Sequence, residues 1–237
     1  MNLRYPNIDS VSKDGKRFYP VPGTEILLPS ITTILGNTVP VEKQQSLEKW
    51  RNGVGHEAAD AFTQLAADRG TEVHLLLERT ILGQELVQPG ETFREDSLGM
   101  VRSLKLKLRN ITKVYGQEAA LYSTQLGVAG RCDMIAEWKG VMSIIDYKTT
   151  QRVKTDHHIT DYKLQLCAYA WMHNEMFGTD ISKGIILMAS ASSLPKEFVV
   201  DLRDYEDDLI DRCCDFYDKF PELIQPDPNG DKYYVTI

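Results

Sequence analysis

Two acidic residues sit where strand-like stretches of this chain are otherwise apolar. Asp133 lies among Val128, Ala129, Met134 and Ile135; Asp146 closes the run that begins at Val141, and Lys148 follows two positions later. Side chains two apart on a strand share a face, so Asp146 and Lys148 project into the same space. If the strands carrying Asp133 and Asp146 pair as a hairpin, both carboxylates converge near one end. Carboxylates held that close call for a compensating cation, and a hard divalent ion suits them. Cleaving a phosphodiester requires a nucleophilic water, neutralisation of the scissile phosphate and stabilisation of the leaving oxygen. One or two Mg²⁺ or Mn²⁺ ions held by Asp133 and Asp146 supply most of this. Lys148 then orients the water, helps deprotonate it, or stabilises the phosphorane charge, and the residues leave these roles open. A lone D-x-K equally describes a surface ion pair worth little.

The elements that position these residues read as follows. Residues 1–28 are irregular, with DGKRFY a turn between short extended pieces. Ser30 caps a short helix ending near Gly36, and VEKQQSLEKWRNG is a second, ending at Gly53. Apolar periodicity predicts a long helix over 57–82, interrupted by Gly70, and another over 96–115 with Leu98, Val101, Leu104, Leu108 and Ile111 on one side. The character changes at 117: three β-rich stretches follow, broken at Gly127 and Lys139–Gly140. A helix over 161–177, strands GIILMAS and KEFVVDL, a helix over 204–220 and a proline-rich tail complete the order. The chain is expected to be a single domain, 1–237, with a mainly helical region over 28–115 and a β-sheet catalytic core over 116–220.

Gly130, three residues before Asp133, and the strand ending in Asp146, Tyr147, Lys148 and Thr149 form a G-x-x-D … D-Y-K-T arrangement. It resembles the motifs of the PD-(D/E)xK nuclease superfamily in its RecB-like branch. The resemblance implies an α/β fold: a restriction-endonuclease-like core with a central mixed sheet flanked by helices and an N-terminal helical arch. It also implies that Asp133, Asp146 and the Tyr147 carbonyl bind metal and that Lys148 is catalytic. His74, in RGTEVHLLLE, matches a helical histidine that reaches the metal, although a single histidine on a helix equally fits a half-buried or surface group. Gln165 and Tyr169, four apart and so on one helix face, match a Q-x-x-x-Y pair that positions the site and contacts DNA; a core tyrosine is the plainer alternative. Glu118 matches an acidic residue some members place near the site, and Glu78 reads as a solvated helix residue. The order LPSITTIL, EKWRNG, RGTEVHLLLE is similar to a group of mitochondrial genome maintenance exonucleases with phage and bacterial relatives. That likeness, over about residues 28–202, implies cutting of single-stranded DNA from free ends. A structure-specific endonuclease of the same fold and a catalytically silent DNA-binding partner are the alternatives.

Composition bounds this reading. A 237-residue chain that is 42% hydrophobic and 26% charged is an ordinary globular sequence, with no stretch long and apolar enough to span a membrane. A net charge of −7 argues against a broad basic face, so strand contacts must be local. Lys49, Trp50 and Arg51 combine charge with a ring that stacks a base or packs its helix onto the body. Arg102 and Lys105, with Lys107 and Arg109 nearby, meet phosphates or solvate an exposed face. His157 and His158 read as loop or helix-start residues. The four cysteines have no CxxC spacing and none precedes Cys132, which excludes an iron–sulfur member of the branch. The start of the chain lacks both a secretory pattern and an arginine-rich leader, so the expectation is a cytoplasmic protein of a bacterial or phage-infected cell, working as a monomer.

Overall fold

In the computed structural model, which describes residues 3–224, the chain opens with a small antiparallel sheet. Its strands β1 (Val11–Lys13), β2 (Lys16–Pro20) and β3 (Leu27–Pro29) pair in sequence order. This corrects the reading of 1–28 as irregular. Leu28, Tyr19 and Val21 bury against Ala120 and Ala129 far along the chain, and tertiary burial rather than local pattern makes the third strand. Ser30 caps α1 (Ile31–Asn37), its Oγ accepting from the Thr33 amide at 3.1 Å.

Helices α2 (Val41–Val54) and α3 (His56–Ile81) meet at Gly55, whose φ of 88° breaks the helical path. No residue of α2 is buried, and the first three turns of α3 bury only Ala59. From Arg69 onward α3 docks, burying Val73, Leu76 and Leu77 beside Met100, Val101 and Leu104 of α4 (Glu95–Leu108). Periodicity predicts that helix over 96–115, yet it ends at Leu108 and Ile111 already belongs to β4 (Ile111–Ser123). The Ile-Thr-Lys-Val-Tyr run at 111–115 fits a pleated surface, and the Lys139 amide donates to the Asn110 carbonyl at 2.7 Å just where the chain enters the sheet. The sheet therefore begins at 111, not 116.

Strands β5 (Val128–Trp138) and β6 (Val141–Thr150), helix α5 (Thr160–Phe177), strands β7 (Lys183–Ser190) and β8 (Lys196–Asp201), and helix α6 (Glu206–Lys219) follow. Five strands form one mixed sheet in the order β4-β5-β6-β7-β8, with β6 and β7 parallel and the other pairs antiparallel. Helices α1, α5 and α6 cover one face; α3 and α4 cover the other. Alternation sends Ile144 and Ile186 to the first face and Ile145, Ile185 and Leu187 to the second. Each such side chain contributes about 1.5–3 kcal/mol on burial. Burial on both faces also explains why GIILMAS reads as an unbroken apolar run. The proline-rich tail from residue 225 lies outside the described residues. Among the described residues no helix is long and apolar enough to cross a membrane.

Candidate active site

The sheet forks where the acidic residues lie. The β5–β6 ladder runs from Trp138–Val141 to Met134–Ile145 and stops; beyond it β5 continues beside β4, and β6 beside β7. Asp133 bridges the fork, its Oδ2 accepting the Tyr147 amide at 2.8 Å. Alternation along β5 changes phase at this residue: Val128 and Cys132 belong to the α5 side, Met134, Ala136 and Trp138 to the α3–α4 side. On β4, between the residues paired with Cys132 and Met134, Glu118 has a φ of 46°. A non-glycine residue held there costs roughly 1–2 kcal/mol, strain of the kind that collects at functional sites.

His74, Glu118 and Asp133 each offer one ligand atom, all within 4.8 Å of one another. The His74 Nε2 lies 3.0 Å from the Tyr147 carbonyl, which can only accept, so Nε2 carries the proton. In the neutral ring Nδ1 then turns its lone pair toward Asp133 Oδ1, 3.5 Å away. Two acceptors facing each other need a proton or a cation between them. Burial pushes the Glu118 carboxyl up to about 7, with the Asp133 charge adding to it and His74 opposing. One imidazole, carboxylates and a nearby backbone carbonyl make a donor set that fits a divalent cation.

Asp146 is fully buried and turns to Lys148, whose ammonium lies 2.6 Å from Oδ2 and donates to Oδ1 at 2.8 Å. Oδ2 makes no further hydrogen bond, and the Lys148 ammonium beside it balances its charge. Burial raises the Asp146 carboxyl to about 6 against the pull of Lys148. Burial alone would lower the Lys148 ammonium, but Asp146 and Asp133 outweigh it and hold the group above its usual range, hence charged. Gln165 fixes the same ammonium, accepting at 3.0 Å, while its Nε2 donates to the Tyr169 hydroxyl at 3.0 Å. Gly130 makes this chain possible: a Cβ there would stand 2.8 Å from Tyr169 Cε1.

A sequence profile described as the PD-(D/E)XK nuclease superfamily matches residues 47–194, which span the donors, the clasped lysine and the Gln165–Tyr169 pair. The chain belongs to that superfamily. It is 29% identical over 175 residues to mitochondrial genome maintenance exonuclease 1 of Xenopus tropicalis, covering 71% of this chain and 50% of that one. Against the Mus musculus protein of the same name it is 29% identical over 197 residues, 80% of this chain and 56% of the other. The Homo sapiens protein is 26% identical over 185 residues, 74% and 53%. The chain thus spans about half the length of these curated relatives. A solved structure of an exonuclease candidate from Eubacterium rectale superposes with a TM-score of 0.46 and 10% identity over 67% of this chain and 65% of that one.

Of the residues singled out from the sequence, His74, Glu118, Asp133, Lys148, Gln165 and Tyr169 line one cleft of about 400 Å³, with Asp146 buried beneath it. Glu78 is half-buried and its charge helps raise Glu118, so it is not merely a solvated residue. Trp50 is 40% exposed on a helix with no buried residue. Lys49 is exposed beside it, and Arg51 pairs with Asp60 at 2.7 Å. Arg102 and Lys105 are not brought to the cleft. Arg102 pairs with Glu95 at 3.1 Å. Lys105 lies in the last turn of α4, which leads to the sheet end where Ile111 pairs with Trp138, five strand residues or about 16 Å from Asp133. His157 and His158 line a separate hollow at the foot of α2. Sequence reasoning missed Arg17, Thr32 and Arg131 on the cleft wall, and Tyr162, whose ring centre lies 4.9 Å from the Lys148 ammonium.

Proposed function

We propose that this chain is a metal-dependent deoxyribonuclease that hydrolyses single-stranded DNA from free ends. The observation that carries the proposal is a charged lysine clasped by Asp146 and Gln165 in the same cleft as three converging metal donors. His74, Glu118, Asp133, Asp146 and the Tyr147 carbonyl would hold one or two ions, Mg²⁺ or Mn²⁺. When bound, such an ion neutralises the scissile phosphate and lowers the pKa of an attacking water. Lys148 presents its ammonium to the cleft, where it orients the water or stabilises charge on the phosphorane. Asp146, Gln165 and the Tyr162 ring fix that ammonium, so it reaches the transition state without reorganising. Tyr169 holds Gln165, and Gly130 gives Tyr169 its room.

Single-strand preference is supported by the arm of α2 and early α3, which buries little and carries Lys49, Trp50 and Arg51 exposed or half-exposed; end preference is supported by the likeness to proteins named as exonucleases. An aromatic face with flanking cations suits stacked bases and phosphates without sequence preference. The monomer is taken as the working unit. Cys132, Cys167 and Cys213 are buried free thiols, which fits the reducing cytoplasm of a bacterial or phage-infected cell.

The test is incubation of the protein and its Lys148→Ala variant with end-labelled linear and covalently closed circular single-stranded DNA, in Mg²⁺, Mn²⁺ or EDTA. Loss of the linear strand alone, abolished by EDTA and by the substitution, is the expected result. Cutting of the circle would make the protein an endonuclease, and binding without cleavage in either metal would make it a silent scaffold.

A further inference from the structure

The cleft has a second wall that the metal donors do not explain. Alternation along β2 turns Arg17 and Tyr19 toward the cleft. A bridge between Ser30 and Ala129 sets the small N-terminal sheet against β5 just before Gly130 and Asp133. The backbone of Arg17 is fixed there: its amide donates to Thr33 Oγ1 at 3.1 Å, and its carbonyl accepts from the Ser30 amide at 2.8 Å and the Thr33 hydroxyl at 3.2 Å. Its guanidinium is exposed and has no hydrogen-bond or ion-pair partner among the described residues. The neighbouring cations are engaged. Lys148 is held by Asp146 and Gln165, and Arg131 reaches Asp9 and the carbonyls of Ile8 and Glu118. Thr32 lies on the same wall.

A free guanidinium across an open cleft from carboxylates is suited to an oxyanion, and its planar fork matches the oxygens of a phosphate. We infer that Arg17 holds a phosphate of the bound strand beside the scissile one. This subsite rests on the nuclease reading. The phosphate is either an internucleotide linkage or a terminal monophosphate, and the two are separable by experiment.

Binding of labelled oligodeoxythymidylates to the wild type, Arg17→Ala and Arg17→Lys is measured by fluorescence anisotropy across a salt series, with Ca²⁺ present. The probes carry a terminal hydroxyl, a terminal phosphate, or one neutral methylphosphonate linkage moved stepwise from the end. Losing one single-strand phosphate contact lowers the slope of log affinity against log salt by about 0.7. Arg17→Ala is expected to show that drop and roughly tenfold weaker binding at low salt, with Arg17→Lys recovering the slope but not the full affinity. The wild type should be weakened by a neutral linkage at one position to which Arg17→Ala is indifferent; dependence on the terminal phosphate alone assigns the subsite to the strand end. Equal slope and affinity in Arg17→Ala and the wild type overturn the inference. Cleavage of the same probes in Mn²⁺ is scored separately. A slope that depends on Arg17 without cleavage keeps the phosphate subsite and removes the nuclease.

Discussion

Replacing Gly130 with alanine perturbs the site through packing alone, without touching a charge. The added methyl would stand 2.8 Å from Tyr169 Cε1, 3.4 Å from Ile31 Cγ2 and 3.5 Å from the Tyr169 hydroxyl oxygen. Carbon atoms prefer about 3.5–4.0 Å, so the ring must retreat by roughly 0.7 Å or more. Tyr169 is only 3% exposed and sits mid-helix, so the retreat costs about 1–3 kcal/mol, the usual range for overpacking. At about 2–4 °C per kcal/mol for a chain of this size, melting should fall measurably. The shift passes from the Tyr169 hydroxyl to Gln165 and on to the Lys148 ammonium. A misplacement on the order of 1 Å costs up to about 100-fold in rate, so cleavage of linear single-stranded DNA should drop about 10- to 100-fold. Gly99→Ala is the control: it is helical and exposed, meets nothing within 4 Å, and should stabilise by up to about 1 kcal/mol. Repeating Gly130→Ala in a Tyr169→Leu background removes the ring, and the stability penalty should shrink toward what Ile31 alone imposes. An equal penalty in both backgrounds, or full activity of Gly130→Ala, would refute the packing chain from Gly130 to Lys148.

Glu118→Gln should stabilise the metal-free protein at pH 8 while weakening its response to Mn²⁺. The folded carboxyl is raised to about 7 from an unfolded value near 4.5, so its penalty is absent below 4.5 and complete above 7. Allowing for solvent screening at a half-buried group, the gain is about 1–2 kcal/mol in urea unfolding, and no gain at pH 8 would count against it. His173 predicts the opposite slope. It is buried between the Tyr5 and Thr179 hydroxyls, and burial depresses it to about 4. Its contribution is intact above about 6.5 and falls away from there down to pH 4, by about 2–3 kcal/mol. His173→Gln should flatten that limb of the stability profile, and an unchanged limb would exclude the residue as its source. Trp50→Ala should leave melting within about 0.5 kcal/mol of wild type but weaken single-strand binding by about 1–3 kcal/mol, measured by anisotropy. A large loss of stability would mean the ring packs rather than stacks.

What could be read from the sequence was local. Asp146 and Lys148 share a face because a strand repeats every two residues, and Gln165 and Tyr169 because a helix returns after four. Ser30 announced its helix through a cap whose partner is three residues away. The errors lie where neighbours come from far along the chain. Ile111 continues the spacing of Leu104 and Leu108 across the turn at 109–110, so periodicity carried the helix past its end. The pairing of Lys16–Pro20 on both sides needs β3, and β3 needs Ala120 and Ala129. Arg17 and Tyr19 could be placed on one face of a strand, but only the bridge from Ser30 to Ala129 puts that face on the cleft. The positive φ of Glu118 leaves no mark in residue type, and the turn of Asp146 toward Lys148 instead of the other donors depends on where the fork opens.

That fork also bears on when the proposed activity could arise during synthesis. His74 and Tyr169 are 95 positions apart, and the fork lies where β5 pairs with β4 and β6 with β7. At about 5–20 residues per second, a ribosome takes roughly 5–20 s to pass between the two, and closure over such distances is slow in its own right. A growing chain therefore carries isolated donors, then carboxylates, and only at the end a lysine clasped between Asp146 and Gln165. On the proposed nuclease reading, the complete constellation exists only once the sheet is finished.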